Sequence, residues 1–251
     1  MKNQRFRQFL ILAVAPLALA GCKQEAATPG SDAPQGEAIA AIAPPAGTSW
    51  TETFAKTADG GYLVGNPNAP VKLVEYGALS CSHCAEFSET SSAELRGTFI
   101  ASGKVSYELR FFMLNALDIP ATLLATCGTT EAVLPLAEQF WAFQPSMFAN
   151  LKAAGDAQYQ AAGTLPPNQR FGALAKIGGM DAFFAARGIP VAQGAACLAD
   201  VNKATALSEA TNKAGTEKEI TGTPTFFLNG TKLNEGTWPG VKTALQAAGA
   251  R

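Results

Sequence analysis

The chain has 251 residues, of which 47% are hydrophobic and 16% are charged, and its formal net charge at pH 7 is −1. This composition is typical of a globular protein with a buried core, and the slightly acidic balance argues against a nucleic-acid-binding surface. With five cysteines and a single histidine, the chain has few side chains that could bind a transition metal.

The N-terminal 21 residues have the pattern of a secretory signal. A basic head containing Lys2, Arg5 and Arg7 precedes an almost wholly apolar stretch over residues 9–20. That stretch is too short to span a bilayer comfortably, so it predicts an export signal rather than a membrane helix. Removing residues 1–21 takes away three positive and no negative charges, which changes the net charge from −1 to −4.

The signal ends in LAGC at residues 19–22, which resembles the lipobox of bacterial lipoproteins. The resemblance implies cleavage before Cys22 and a lipid on its thiol. Ordinary signal-peptide cleavage after Ala20 is the alternative. Lipidation of Cys22 would leave four cysteines as two possible pairs, and disulfides persist in exported proteins. These four are Cys81, Cys84, Cys127 and Cys197.

Residues 22–49 are rich in Ala, Pro and Gly and lack a sustained apolar period, which predicts a partly flexible tether. The folded part is expected to begin near Trp50, leaving about two hundred residues for one domain with an insertion. Its predicted divisions are a first half over residues 50–115, an inserted helical block over residues 116–218 and a second half over residues 219–251.

Two strands and a helix are predicted next. Val71, Leu73 and Glu75 fall on one face of a strand, and residues 105–112 alternate in the same way. Between the strands, apolar and small residues recur at helical spacing: Cys84, Phe87, Ser91, Leu95 and Phe99. The result is a βαβ unit with the sequence CSHC, residues 81–84, where the first strand meets the helix.

The remainder of the chain is predicted to be helical from about residue 120 to residue 218, with breaks at glycines and prolines. Within it, Phe140, Trp141 and Phe143 indicate core packing. The sequence GTPTFFLNGTKL then predicts a hairpin that turns at Asn229-Gly230, and residues 239–249 predict a short closing helix.

The CSHC sequence can be interpreted from elementary chemistry. The free N–H groups and dipole at a helix N-terminus stabilise an anion, so a thiolate at Cys81 would be favoured while Cys84, one turn inward, is shielded. His83 could add positive charge or a hydrogen bond near that sulfur. A metal site would need further ligands, commonly from a second cluster. A purely structural disulfide would close too small a loop to stabilise the fold much.

The element order, CSHC and the late Thr223-Pro224 resemble the DsbA-like thiol:disulfide oxidoreductases of bacterial periplasms, from about residue 50 to the C-terminus. The resemblance implies an α/β, thioredoxin-like fold with an inserted helical subdomain and no cofactor. It also implies that Cys81 and Cys84 form the redox disulfide and that Pro224 is cis beside it. The Thr223 backbone would pair with substrate, and Glu75 would relay protons to or from Cys84.

Several alternatives remain open at this stage. Glu75 could instead lie at an edge with its carboxylate in water. Some members of the resembled family have a second disulfide, which here would join Cys127 to Cys197; the alternative is two small buried apolar side chains. The dipeptide between the active-site cysteines is Ser-His where strong oxidants have Pro-His, and Thr223 resembles some reductases and isomerases, so the redox direction stays undecided.

The predicted function is therefore formation of disulfides in reduced exported proteins, with re-oxidation by a quinone-linked membrane partner of the DsbB type. Export and lipidation predict a periplasmic protein anchored to the membrane through Cys22. Lys23 stands where inner-membrane lipoproteins of enteric bacteria carry aspartate, which favours the outer membrane. The alternatives are a disulfide reductase or isomerase with the same residues, or a copper-binding lipoprotein.

Overall fold

The computed structural model describes residues 36–251, which form a mixed sheet with helices on both faces. The sheet order is β1-β2-β4-β3-β5-β6; β3 and β4 are parallel, and every other neighbouring pair in the described residues is antiparallel. The strands are β1 (Phe54–Lys56), β2 (Tyr62–Gly65), β3 (Val71–Gly77), β4 (Val105–Phe111), β5 (Thr225–Leu228) and β6 (Thr231–Lys232). This confirms the predicted thioredoxin-like fold class.

The βαβ unit is β3, helix α1 (Ser82–Glu94) and β4, and α1 continues into a π-helical turn over Leu95–Ile100. The alternation in β3 is as predicted, because Val71, Leu73 and Glu75 are all buried on the face beneath α1. The parallel register sets Leu73 beside Tyr107 and Glu75 beside Leu109. Side chains of the same parity on β3 and β4 therefore share the α1 side of the sheet.

Seven helices lie between β4 and β5 in the part of the chain that the structure describes. They are α2 (Asp118–Ala125), α3 (Thr130–Ala154), α4 (Asp156–Gly163), α5 (Pro167–Gly178), α6 (Met180–Ala185), α7 (Val191–Leu198) and α8 (Val201–Glu217). Helices α3 and α6 form an aromatic cluster in which Phe140 contacts Phe143, Phe183 and Phe184. The long helix α3 also packs against α1 and β2, so the inserted block contacts the element that carries CSHC.

The closing elements match the sequence pattern. Asn229 and Gly230 have positive φ angles of 49° and 84° and join β5 to β6 in the predicted hairpin. The last helix, α9 (Trp238–Ala247), packs against α1 and β5. It has Pro239 in its first turn, where a missing N–H is harmless.

The hairpin of β1 and β2 was not predicted. Its strands are only three and four residues long, and they turn through Gly60, whose φ is 82°. β2 pairs with β4, so this hairpin extends the sheet beyond the βαβ unit on the β4 side. Strands this short carry too few alternating residues to give a clear periodic signal.

Residues 36–49 differ from the predicted tether, because they lie along the domain. The Gly36 N–H donates to the Ala247 carbonyl at 2.7 Å, and the Ile42 N–H donates to the Ser102 carbonyl at 2.8 Å. The indole N–H of Trp50 bonds back to the Ile42 carbonyl at 2.7 Å. Tertiary hydrogen bonds therefore hold this segment against the domain, and a search for periodic apolar residues cannot detect such bonds.

Among residues 36–251, no helix is both long and apolar enough to cross a membrane.

Candidate active site

Cys81 is the N-cap residue of α1, at the junction of the loop after β3 with the helix. Its backbone is extended, with φ −81° and ψ 119°, and its sulfur accepts a hydrogen bond from the Cys84 N–H at 3.4 Å. On the other side, the Cys81 thiol donates to the Thr223 carbonyl at 3.2 Å. The sulfur therefore lies between the positive end of a helix and the loop that precedes β5.

The surroundings of Cys81 lower the pKa of its thiol to about 5. The largest cause is a hydrogen bond from the Cys84 thiol, and the backbone N–H groups of Cys84 and His83 add to it, whereas burial opposes it. Because free cysteine ionises near pH 8.5, Cys81 of the reduced protein is a thiolate at neutral pH.

Cys84 differs from Cys81 in both accessibility and charge. It is fully buried, and this burial raises the pKa of its thiol well above the ordinary value; hydrogen bonding to Cys81 and the negative charge of Glu75 act in the same direction. Both cysteines are free thiols in this structure. The pair therefore consists of one stabilised thiolate next to one shielded, protonated thiol.

Glu75 lies at 0% exposure on β3, which excludes the edge position that the sequence left open. Its Oε2 accepts a 2.7 Å hydrogen bond from the Tyr107 hydroxyl, while Oε1 has no partner among the described residues. Burial raises the Glu75 pKa to about 8, partly offset by Tyr107 and reinforced by charge on Cys81. The carboxyl is thus poised to exchange a proton near neutral pH.

The loop that leads into Cys81 is held by the inserted helices. The Trp141 indole N–H donates to the Ala78 carbonyl and the Gln144 amide donates to the Leu79 carbonyl, each at 2.9 Å in a buried setting. Both donors are on α3. These bonds satisfy backbone carbonyls that burial would otherwise leave unpaired, and they fix the path of the chain into α1.

Asp118, the first residue of α2, anchors the same loop from a second direction. It is fully buried, and its Oδ1 accepts from the Ser80 N–H at 2.7 Å. Its Oδ2 accepts from the Ser80 hydroxyl and from the backbone N–H groups of Leu114 and Asn115, each at 3.0 Å. Burial raises the pKa of this carboxyl, and the four donors oppose that rise. Asp118 therefore ties the loop before Cys81 to the chain that enters the insertion.

The Thr223–Pro224 peptide bond is cis, and Thr223 contacts Cys81 through its carbonyl. A groove of about 620 Å³ lies beside this turn. It runs between the start of α1 and the start of α9, and its walls are His83, Glu86, Phe87, Thr90, Thr223, Pro224, Gly236, Thr237, Trp238 and Pro239. An extended peptide next to Cys81 would find apolar and backbone groups there.

The structure brings together most of the predicted site residues, namely Glu75, Cys81, Cys84, Thr223 and Pro224. The His83 side chain is 78% exposed and lies 3.5 Å from the Glu86 carboxylate, so it is its backbone N–H that acts on Cys81. Cys22 lies outside the described residues.

Cys127 and Cys197 are joined by a disulfide with an S–S distance of 2.05 Å. The bond links the end of α2 to α7, so it lies within the inserted helices. Of the two interpretations left open by the sequence, the structure has the disulfide.

Three residues of the site were missed by sequence reasoning: Tyr107, Asp118 and Gln144. Tyr107 had a usable signal, because it shares the parity of the buried face of β4. Asp118 and Gln144 had none, since their partners are 38 and 65 residues away in the chain. Within the described part of the chain, no group of three or more His, Cys, Asp or Glu side chains is arranged to hold a metal ion.

This arrangement of a Cys-X-X-Cys pair at a helix N-terminus, on a thioredoxin-like sheet with inserted helices, defines a dithiol–disulfide exchange site. The sequence model of the family described as Thioredoxin matches residues 57–247. A Rickettsia conorii protein named as a protein-disulfide oxidoreductase is 26% identical over 231 residues, which cover 89% of this chain and 70% of that one.

Solved structures agree with this assignment. A protein-disulfide isomerase from Novosphingobium aromaticivorans is 28% identical with a TM-score of 0.72, covering 76% of this chain and 98% of that one. The alpha-DsbA1 of Wolbachia pipientis shares the fold, with a TM-score of 0.59 at 19% identity over 74% of this chain and 88% of its own. The chain belongs to the thioredoxin family, as a thiol:disulfide oxidoreductase with the fold of DsbA-like proteins.

Proposed function

We propose that this oxidoreductase works as an oxidant, forming disulfides in reduced exported proteins through Cys81 and Cys84. The observation that carries the proposal is the position of the Cys81 sulfur at the N-terminus of α1, next to a buried Cys84. A thiolate stabilised there lowers the free energy of the reduced protein relative to the disulfide form. The disulfide form is then the stronger oxidant, by roughly 30 mV for each pKa unit of stabilisation.

The reaction has two exchange steps. A substrate thiolate attacks the Cys81 sulfur of the oxidised protein, the Cys81–Cys84 bond breaks, and Cys84 leaves as a thiolate that takes up a proton. A second substrate thiolate then attacks the substrate sulfur of the mixed disulfide and releases Cys81 as a thiolate. Two electrons pass from the substrate dithiol to the protein, which ends as a thiolate at Cys81 and a thiol at Cys84.

Glu75 supplies the proton that Cys84 needs. It is buried near Cys84, and its raised pKa keeps a proton available at neutral pH. In the reverse direction, when the protein is re-oxidised, the same carboxylate accepts the proton of Cys84.

Thr223 and Pro224 bind the substrate chain. Thr223 is within hydrogen-bond distance of the Cys81 sulfur, so a peptide bonded to Cys81 would run along this turn into the groove beside α1. Backbone pairing there suits unfolded substrates of many sequences, because it reads no particular side chain.

The test of this function mixes oxidised protein with a reduced, unfolded protein and counts free thiols over time. We expect one substrate disulfide for each protein disulfide consumed, and no reaction with Cys81→Ser. The matched variant Cys84→Ser cannot form the protein disulfide. When it is given a small-molecule disulfide, its Cys81 thiolate should attack one sulfur, release the other as a thiolate and accumulate as a mixed disulfide, because no Cys84 is present to resolve it. Substrate oxidation that survives Cys81→Ser would contradict the site assignment.

A reductase or isomerase is the second candidate, and the likeness to a solved protein-disulfide isomerase favours it. It would use the same cysteines with a less stabilised thiolate. The low pKa of Cys81 is the observation that argues for the oxidant.

The cellular setting is also part of the proposal. Export by the signal at residues 1–21, lipidation at Cys22 and the tether after it would hold the enzyme at the periplasmic face of a membrane, the outer one if Lys23 acts as expected. A DsbB-type, quinone-linked membrane protein would then re-oxidise Cys81 and Cys84. Labelling with a radioactive fatty acid tests the anchor, since Cys22→Ser should lose the label and leave the membrane fraction.

A further inference from the structure

A small cavity lies on the α1 side of the sheet, beside Tyr107, which is the hydrogen-bond partner of Glu75. Its volume is about 20 Å³. Most of its wall is apolar and is formed by Phe87, Leu95, Ile100 and Trp141, while the polar groups come from Ser88, Ser91, Ser92, Arg96, Tyr107 and Glu138. One water needs roughly 10–15 Å³ and two or more polar partners. The hydroxyl, guanidinium and carboxylate groups on the polar part of the wall are the partners that a single water in this cavity would use.

Tyr107 connects this cavity to the active site. It lines the cavity and donates the 2.7 Å hydrogen bond to Glu75. Glu75 has 0% exposure and Tyr107 has 7%, so a proton cannot move between Glu75 and solvent without passing through protein groups. A phenolic hydroxyl can donate one hydrogen bond and accept another, which suits it to that passage.

The far wall of the cavity reaches the surface. Glu138 and Arg96 form an ion pair at 2.6 Å, and their side chains are 34% and 29% exposed. Glu138 lies on α3, and Arg96 lies in the turn after α1. Because it touches both the cavity and solvent, the Glu138 carboxylate can accept hydrogen bonds from water on either side and so connect the two.

We infer that Tyr107, the cavity and Glu138 form the route by which protons pass between Glu75 and solvent. The inference rests on the proposed role of Glu75 as the proton donor to Cys84. Glu75 gives its proton to the leaving Cys84 thiolate. Tyr107 then gives its hydroxyl proton to Glu75 and takes one from the cavity water, which Glu138 or solvent replenishes. One proton enters for each disulfide reduced, and no electrons move along the route.

The groups that surround the route are few. Glu75 faces Cys81 and Cys84 at the start of α1 and Tyr107 on β4. Tyr107 also feels the charge of Glu138 from α3. Both carboxylates oppose ionisation of Tyr107, so it acts by passing a proton through its hydroxyl and not by holding a charge.

The test measures single-turnover reduction of the oxidised protein by dithiothreitol between pH 6 and 9, in H₂O and in D₂O. Tyr107→Phe removes only the hydroxyl, and we expect the rate constant to fall about tenfold with a larger solvent isotope effect, since proton delivery becomes the slow step. Glu138→Gln should act in the same direction. The double variant should be no slower than Tyr107→Phe, because both changes interrupt one route.

Tyr76→Phe is the matched control, because Tyr76 is equally buried on the opposite face of the sheet and bonds Arg110 there. Its rate constant and isotope effect should equal those of the unaltered protein. If Tyr107→Phe fails to fold, Glu138→Gln, changed at the surface, carries the test with the same expected slowing.

Unchanged kinetics in Tyr107→Phe or, where that variant does not fold, in Glu138→Gln would overturn the route. The route would also be overturned if the slowing caused by Tyr107→Phe and the slowing caused by Glu138→Gln multiplied in the double variant. Glu75→Gln distinguishes this inference from the proposed function. If Glu75→Gln slows the reaction while Tyr107→Phe and Glu138→Gln do not, Glu75 still donates the proton to Cys84 but the route through Tyr107 and Glu138 is wrong. If Glu75→Gln has no effect while Cys81→Ser is inactive, Glu75 is not the proton donor.

Discussion

The indole N–H of Trp141 donates a 2.9 Å hydrogen bond to the carbonyl of Ala78, three residues before Cys81. This bond joins the inserted helices to the active-site loop. Together with Gln144 and Asp118 it makes the position of the Cys81 sulfur depend on the insertion as much as on α1. The helical block is thus a support for the reactive group as well as an addition to the fold.

Trp141→Phe should loosen that support. It leaves the buried Ala78 carbonyl without its donor, so we expect a loss of about 1–3 kcal/mol in the free energy of unfolding. We also expect slower exchange and a higher Cys81 pKa, because the loop shifts. Chemical denaturation and thiolate titration measure these changes.

Trp50→Phe is the matched control for this change. It removes a similar indole-to-carbonyl bond, from Trp50 to Ile42, which lies in the N-terminal segment and not in the active-site loop. It should lower stability to a similar degree without altering the Cys81 titration. If the two variants change the Cys81 pKa equally, the loop argument is wrong.

Glu75→Gln should make the protein more stable at neutral pH while slowing exchange. A carboxyl with a pKa of about 8 in the fold and about 4.3 when unfolded binds more protons in the native state between those values. Stability is therefore lost as pH rises through that window. Removing the group should recover on the order of 1–4 kcal/mol at pH 7, and nothing at pH 4.

Thermal unfolding of Glu75→Gln and Glu89→Gln at both pH values checks this sign. Glu89 is an exposed acid of α1, so its variant should track the unaltered protein. If Glu75→Gln and the unaltered protein had equal melting temperatures at pH 7, the buried carboxyl would not lower the stability of the fold, and the prediction would be wrong.

The thiolate of Cys81 should titrate near pH 5, as followed by ultraviolet absorbance of the reduced protein. Since this pKa lies below the unfolded value of about 8.5, stability of the reduced protein should rise with pH between the two values and be lost as pH falls toward 5. Cys84→Ala removes the largest stabilising hydrogen bond and should raise the pKa of Cys81. A thiol that ionises no more readily than free cysteine would contradict this description.

Cys127→Ser should lower stability and leave exchange intact. The disulfide closes a loop with a sequence separation of 70 residues, and loop-closure entropy gives about 4 kcal/mol for that length. Cys197→Ser and the double variant should lose the same amount, since each removes the same bond. If Cys127→Ser lost exchange activity as completely as Cys81→Ser, the Cys127–Cys197 disulfide would take part in the reaction and this prediction would be wrong.

The sequence was sufficient for the βαβ unit, because a period of two in β3 and a helical period in α1 are strong over that length. It also predicted the helical insertion and the hairpin at Asn229-Gly230. These elements depend on local patterning, in which each residue's neighbours along the chain indicate its environment.

What the sequence missed depends on contacts distant in the chain. Asp118 is buried only because four donors from Ser80, Leu114 and Asn115 converge on it. Trp141 was expected to be core packing, and nothing in its own segment shows that its indole N–H reaches Ala78. Tyr107 likewise became part of the site only when the register of β3 and β4 set it beside Leu73, from where its hydroxyl reaches Glu75 on the same face.

The central claim is that Cys81, held as a thiolate, makes the Cys81–Cys84 disulfide an oxidant. Equilibration of the protein with glutathione buffers gives the reduction potential directly. We expect a value closer to the about −120 mV of DsbA than to the about −270 mV of thioredoxin. A potential near thioredoxin's would contradict the claim and assign the protein to disulfide reduction.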